Sequence, residues 1–372
     1  KLSVARVLCG TIADGTELRT LKTVDKISGL YTLLGREQNK LGKAETGDTV
    51  ALGKLDGVQT GDTLTTAKIA IAPLAAFENP QAVYFAAVRP TERKDEAKLS
   101  LALQKLTEED PSLGLEQRQE TGETIVCGQG EMHLRVTCER LEGKYQIPVD
   151  TSSPSVAYRE TIRKGTTKRG RHKKQSGGHG QFGDVVLDIR PLPRGTGFEF
   201  TDTITGGVVP KQYIPSVEAG VREYLKSGPL GFPVIDLAVN LADGSYHSVD
   251  SSDMAFQLAG RLAMKEGLGD CSSVLLEPVL KIEVYTPSDA TARITAILSQ
   301  RRGQILGFDA RPGWSGWDVV EAMIPASETG DLIIELRSAT AGVASYRATF
   351  DHMAELTGRL ADAALNAQGK AA

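Results

Sequence analysis

Residues 82–106 read AVYFAAVRPTERKDEAKLSLALQKL, and a change of period inside this stretch sets the fold class. AVYFAAVRP (82–90) is a short aliphatic and aromatic run closed by proline, the pattern of a buried strand. In KLSLALQKL (98–106), Leu99, Ala102, Leu103 and Leu106 recur at i, i+3, i+4 and i+7, one face of a helix. Further on, GLEQRQE (114–120) and TIVCGQ (124–129) flank a Thr121-Gly122 turn as a hairpin. GEMHLRVTCERLEGKY (130–145) is a second helix and QIPVDTS (146–152) a last strand. This βαββαβ order predicts a ferredoxin-like unit over residues 80–152.

On the N-terminal side, TIADGTEL, KISGLYTLLG, ETGDTVALGKL and VQTGDTL are short β runs punctuated by DG and GD, which predicts a small β-barrel over residues 1–75. KLSVARVL (1–8) already reads as a strand, so the chain reads as a fragment of something longer. PLAAFENP (73–80) is a linker. Residues 153–277 hold strands at DVVLDIRPL and VIDLAVNLA and helices at YIPSVEAGVREYL and SDMAFQLAGRLAMKEG, an α/β unit. Residues 278–360 repeat the βαββαβ order, with a weak helix in ETGDLIIELRSAT; the chain after Met353 reads as a helix that runs into a C-terminal tail at 361–372. The expected fold class is therefore multidomain α+β, in four units.

The chain carries 43 Lys and Arg against 47 Asp and Glu, a net charge of −4, so any contact with nucleic acid must be local. No G-x-x-x-x-G-K-[ST] or N-K-x-D pattern is present, so no catalytic residue and no nucleotide site is expected in this chain. The histidines share no HxH or HxxxH spacing and the four cysteines form no C-x-x-C pair, so no metal site is expected either. Scattered thiols suit a reducing cytoplasm, and no apolar run is long enough to span a bilayer. His247 lies among Ser245, Ser248, Ser251 and Ser252, but VDSSD before an apolar helix reads as N-capping rather than as a hydrolase centre.

Residues 163–174, RKGTTKRGRHKK, concentrate seven Lys or Arg without an acid and run into QSGGHGQFGD. A solvated loop is one reading. The other is an RNA-binding loop, in which Lys168, Arg169, Arg171, Lys173 and Lys174 meet phosphates while glycine backbone amides and Gln181 approach ribose or base. In LADGSYHSVDSSDMAF the Asp243-Gly244 pair reads as a turn that projects Tyr246 and His247 for stacking or hydrogen bonding to RNA.

RHKKQSGGHGQFGDV (171–185), GGVVPKQYIPSVEAGVREYL (206–225), SGPLGFPVIDLAVNLADGSYHSVDSSDMAF (227–256) and LSQRRGQILGF (298–308) resemble elongation factor G, the ribosomal translocase. So do ALQKLTEEDPSL, TGETIVCGQGEMHL and PSVAYRETI. The resemblance implies a translation-factor β-barrel, a ferredoxin-like third domain, a ribosomal-protein-S5-like α/β fourth domain and a ferredoxin-like fifth domain, without the GTP-binding domain. It implies a tip made of Ser176, Gly177, Gly178, His179 and Gln181 with Tyr246 and His247, entering the ribosome beside tRNA. It places Arg301 and Arg302 of the QRRG run near large-subunit RNA. A helix C-terminus with Gly303 as its cap is the structural alternative there. The implied partner is the ribosome, met by a cytoplasmic monomer with no membrane contact; GTP and Mg would belong to the missing domain. His179 where the family usually has Arg, and a one-residue-shorter SGPLGFP, point to a paralogue. Translocation, recycling, rescue, antibiotic protection and stand-alone RNA binding are the activities such a body could serve.

Overall fold

The computed structural model describes residues 1–68, 72–75, 79–118, 121–175 and 180–371, in two units, Lys1–Ser152 and Ser153–Ala372. The first opens with eight short strands: β1 (Leu2–Arg6), β2 (Thr11–Ala13), β3 (Glu17–Arg19), β4 (Val24–Lys26), β5 (Leu30–Leu34), β6 (Glu37–Lys40), β7 (Lys43–Glu45) and β8 (Thr49–Gly53). β1, β8, β5 and β6 pair in that order, while β2 with β7 and β3 with β4 form separate ladders. The expected barrel is thus a set of open sheets among the described residues. Strands of three residues such as β2, β3, β4 and β7 offer too few rungs to carry pairing around a ring. VQTGDTL is a turn rather than a strand, with the Asp62 carboxylate accepting the Gln59 N–H at 2.8 Å. Leu18, Ile27, Leu30, Val50, Leu52 and Leu55 are buried between these ladders.

The same unit continues through β9 (Tyr84–Pro90), α1 (Glu96–Glu109), β10 (Gly114–Arg118), β11 (Glu123–Gly128), α2 (Glu131–Tyr145) and β12 (Val149–Ser152). The sheet order β10-β11-β9-β12, antiparallel throughout, is the ferredoxin-like arrangement. The stripe Leu99, Ala102, Leu103 and Leu106 is buried against Val88, Val126, Leu134 and Leu141, as the period requires.

The second unit starts with β13 (Arg159–Ile162), β14 (Thr166–Lys174), β15 (Gln181–Pro191), β16 (Phe198–Asp202), α3 (Ile214–Leu225), β17 (Leu237–Ser245) and α4 (Asp253–Asp270). The basic stretch is therefore a strand, paired in nine-residue register with β15 from Thr166↔Ile189 to Lys174↔Gln181. Sheet order is β14-β15-β17-β16, the last pair parallel. Alternate residues Val185, Leu187, Ile189 and Leu237, Val239, Leu241 meet Val217, Val221, Phe256 and Met264 of α3 and α4 in one core. α4 lies so close to the hairpin that a Cβ at Gly170 would sit 2.2 Å from Ala259 O, and one at Gly183 2.4 Å from Ala255 O.

The expected turn at Asp243-Gly244 does not form. β17 runs on to Ser245 with an irregular register, Asp243 facing Val186 while Leu241 faces Leu187. Gly244 serves close approach instead, since a Cβ there would lie 2.4 Å from Asp184 O.

β18 (Ser273–Pro287), α5 (Thr291–Gln300), β19 (Gln304–Ala310), β20 (Trp317–Pro325), α6 (Leu332–Ala339), β21 (Ser345–Leu356) and α7 (Arg359–Ala371) complete the chain. β19-β20-β18-β21 is a second ferredoxin-like sheet, and the first four residues of β18 also pair with β13. One continuous strand therefore serves both halves of this unit. The strand β21 extends past Met353, where the sequence suggests helix, because Leu275 and Leu276 offer rungs to Leu356 and Glu355.

Candidate nucleic-acid interface

Residues from two distant stretches meet at the open end of the β14–β15 hairpin. Ser176, Gly177, Gly178 and His179 fall outside the described residues. Around them, Gly180 N–H donates to Asp250 Oδ1 at 3.2 Å and Phe182 N–H to Asp250 O at 2.8 Å. Ser251 Oγ accepts the His247 N–H at 2.9 Å and donates to Phe182 O at 2.9 Å. These bonds tie segment 247–251 to the hairpin end. Phe182, Asp250 and Ser251 are the residues that sequence reasoning missed. VDSSD signals a helix cap, and of its serines Ser252 does cap α4, accepting the Ala255 N–H at 3.3 Å.

His247 is exposed, with Nδ1 accepting backbone N–H groups from Asp250 at 3.2 Å and Val249 at 3.4 Å. Those donors claim the lone pair of the neutral ring, which leaves the ring proton on Nε2. The Asp250 carboxylate, 3.4 Å from Nδ1, becomes an ion-pair partner only for the protonated ring. The His247 ring lies 6.3 Å from Phe182, and the Arg171 guanidinium lies 5.5 Å over Phe182 from the other strand. Tyr246 and Val249 stand half or more exposed beside them, at 50% and 65%. Gln181 is turned to a neighbour, its Oε1 2.9 Å from His172 Nε2.

The cations of the basic strand divide into two groups. Arg169 clasps Asp184 through Nε and Nη2, and Ser245 Oγ adds a bond to the same carboxylate at 2.8 Å. Burial alone would raise the Asp184 pKa, but the Arg169 and Ser245 hydrogen bonds outweigh it and hold the carboxyl below its ordinary value. Lys168 pairs with Asp270 at 2.7 Å. The acids missing from the stretch itself thus arrive from β15 and α4. Lys173 and Lys174 are exposed and, among the described residues, make no ion pair.

Arg301 and Arg302 are likewise paired with acids of their own unit, Arg301 half-buried and Arg302 exposed. Arg301 Nη1 donates to Asp331 Oδ1 and Glu328 O, both at 2.7 Å, and its Nε to Glu335 Oε2 at 3.1 Å. Its side chain is 13% exposed. The Glu335 hydrogen bond above all, with Asp331, raises the Arg301 pKa against the opposing effect of burial. Arg302 forks onto Glu277 at 2.7 and 3.0 Å and reaches Glu328 at 2.8 Å. The left-handed residue ending α5 is Arg302, at φ 59°, and Gly303 closes the turn by donating to Leu298 O at 2.8 Å. The expected glycine cap is therefore one residue early, and arginine takes the strained position because its side chain is anchored.

Among the described residues no group of His, Cys, Asp and Glu could hold a metal, and no helix is long and apolar enough to cross a membrane. What the hairpin end offers is two lysines without ion pairs among the described residues, a tilted pair of rings and hydrogen-bonding edges on a cross-braced frame.

Residues 79–153, 154–272 and 274–364 match, in turn, domain III, domain IV and the C-terminus of elongation factor G. The chain belongs to the elongation factor G family, with the G domain absent from it. It is 52% identical over 361 residues to an elongation factor G-like protein of Synechocystis sp., covering 97% of this chain and 53% of that one. A crystal structure from Thermus thermophilus superimposes with a TM-score of 0.85 at 36% identity, covering 99% of this chain and 55% of the other. The chain thus spans about half the length of these relatives.

Proposed function

We propose that this chain is the ribosome-binding body of a translation factor that promotes movement of tRNA and mRNA, with the hairpin end as its RNA-contacting tip. The observation that carries this reading is the cross-braced end, where Asp250 and Ser251 tie the His247 segment to a hairpin carrying unpaired Lys173 and Lys174. Pre-organised groups lose little entropy on binding. Lys173 and Lys174 meet phosphates, Arg171 stacked on Phe182 follows, and Tyr246 and His247 supply a ring face and an Nε2–H donor. Residues 176–179 and Gln181 complete the contact surface. Arg169, Lys168, Arg301 and Arg302 keep the frame rigid rather than meeting RNA.

No residue set in this chain fits GTP and magnesium, since the sequence lacks the phosphate loop. Nucleotide hydrolysis belongs to a separate G domain. The working form is a monomer in the cytoplasm. A second reading, a paralogue acting in recycling, rescue or antibiotic protection, is favoured by His179 at a position where the family usually carries a permanent charge.

The test is sedimentation of the 372-residue chain with ribosomes, with chemical footprinting of the small-subunit RNA. Protection at the decoding region that weakens on changing Lys173 and Lys174 to Gln supports the reading. Cosedimentation without that footprint, or none at all, overturns it.

A further inference from the structure

The sheet β19-β20-β18-β21 carries a second surface that the tip does not use. α5 and α6 cover one face through Ile294, Leu298, Leu332 and Leu336. Beside the other face, the loop Arg311–Gly316 joins β19 to β20. It is fixed by Arg311 N–H to Trp317 O at 2.7 Å, Trp314 N–H to Arg311 O at 3.1 Å and Ser288 N–H to Gly316 O at 3.0 Å. It holds Trp314 half exposed and edge-on to Trp317, with centroids 5.5 Å apart. The Arg311 guanidinium lies 3.9 Å from the Trp314 centroid and 4.5 Å from that of Tyr285, and Arg347 lies 5.9 Å from the same Tyr285 ring. A shallow cavity of about 440 Å³ opens here, lined by Tyr285, Arg311, Trp314 and Arg347 together with Glu283, Asp309 and Glu321, with Trp317 outside the lining.

The chemistry of this lining narrows the ligand. Two arginines face three carboxylates, of which Glu321 is paired through Oε2 with Lys281 at 3.0 Å and Glu283 accepts the Tyr285 hydroxyl at 2.8 Å, so a phosphate chain gains little. Aromatic and guanidinium planes attract a flat group, and carboxylates accept hydrogen bonds while arginines donate them. Guanine satisfies both requirements: its N1–H and N2–H₂ edge donates to carboxylates, and its O6 and N7 edge accepts from arginine. Tyr285 and Trp317 also sit on the two central strands of a βαββαβ sheet, the position from which sheet modules stack single-stranded bases.

We propose that this face, at Trp314, Arg311 and Tyr285 with Asp309 and Glu321, binds an unpaired guanine base of RNA. The site is independent of the hairpin end. Trp314 and Trp317 are the chain's two tryptophans, so intrinsic fluorescence reports directly on it.

The experiment titrates the full chain with guanosine, adenosine, cytidine, uridine and GTP, and with the oligonucleotides UUUGUU and UUUUUU. Guanosine and UUUGUU quench emission about ten-fold more tightly than uridine and UUUUUU, with little dependence on salt. Asp309→Asn and Glu321→Gln each reduce that preference, and Trp314→Phe weakens binding while Trp317 still reports. An unchanged emission, or an equal response to all four nucleosides, overturns the proposal. Tighter binding of GTP than of UUUGUU would overturn it too, reassigning the site to a free nucleotide. Lys173→Gln with Lys174→Gln leaves the quench unchanged, so loss of ribosome binding in that variant with the quench intact separates the two sites.

Discussion

His247 Nδ1 accepts the backbone N–H of Asp250 at 3.2 Å, with that of Val249 at 3.4 Å, and these bonds decide which ring nitrogen faces outward. With Nδ1 occupied, an Nε2–H donor is available to an RNA acceptor. His247→Ala in a protein that includes the G domain is expected to slow single-turnover tRNA movement while ribosome-stimulated GTP hydrolysis stays nearly intact. Rapid-kinetic measurement of both rates checks this; equal slowing of both would place His247 elsewhere in the cycle.

Lys173 and Lys174 are exposed lysines of the basic strand that make no ion pair among the described residues, whereas Arg171 lies over the Phe182 ring. Changing both to Gln should lower the slope of log affinity for ribosomes against log salt by about 1.5, the share of two phosphate contacts. Arg169→Gln, whose guanidinium is bound to Asp184, should leave that slope alone.

Arg169 and Asp184 matter for stability instead. The carboxylate is fully buried while the Arg169 side chain is 61% exposed, so solvent screens part of the attraction. Arg169→Gln is expected to lower the urea midpoint near neutral pH, because buried Asp184 loses its main donor. Asp184 is held below its ordinary 3.8, so its contribution is present above that value and lost as the pH falls through the lowered one. The gap between wild type and variant should narrow at acid pH.

Glu160 behaves in the opposite sense. It is fully buried, and its carboxylate accepts the N–H groups of Leu230 at 3.0 Å and Phe232 at 3.1 Å. Burial dominates those hydrogen bonds and pushes its pKa from 4.5 up to about 7. The folded state therefore binds this proton more tightly than the unfolded chain. Its contribution is full below 4.5 and lost, by about 3 kcal/mol, as the pH rises to about 7. Thermal unfolding across that range should show a steeper decline for wild type than for Glu160→Gln; parallel curves would remove Glu160 from the explanation.

Gly183 sits inside the tip sequence, yet its hydrogen faces the backbone of α4. Gly183→Ala should destabilise the fold by about 1–3 kcal/mol or more, by forcing α4 away from the hairpin. Calorimetry on the isolated chain measures it.

The two ferredoxin-like units were legible because period and order suffice: Leu99 to Leu106 can bury only as a helix face, and βαββαβ leaves few ways to pair strands. The basic strand was not legible as a strand. RKGTTKRGRHKK has no apolar alternation, and it is held by rungs to β15 and by glycine contact with α4.

By itself the sequence determined the fold class and the core faces, both of which follow from local pattern. Only the tertiary structure decided which cations are free. Asp184, Asp270, Glu277 and Glu335, each distant in the chain, claim Arg169, Lys168, Arg302 and Arg301 and leave Arg171, Lys173 and Lys174 without an ion pair among the described residues. A charge is available to a ligand when no opposite charge reaches it in space, and one-dimensional spacing does not record that distance.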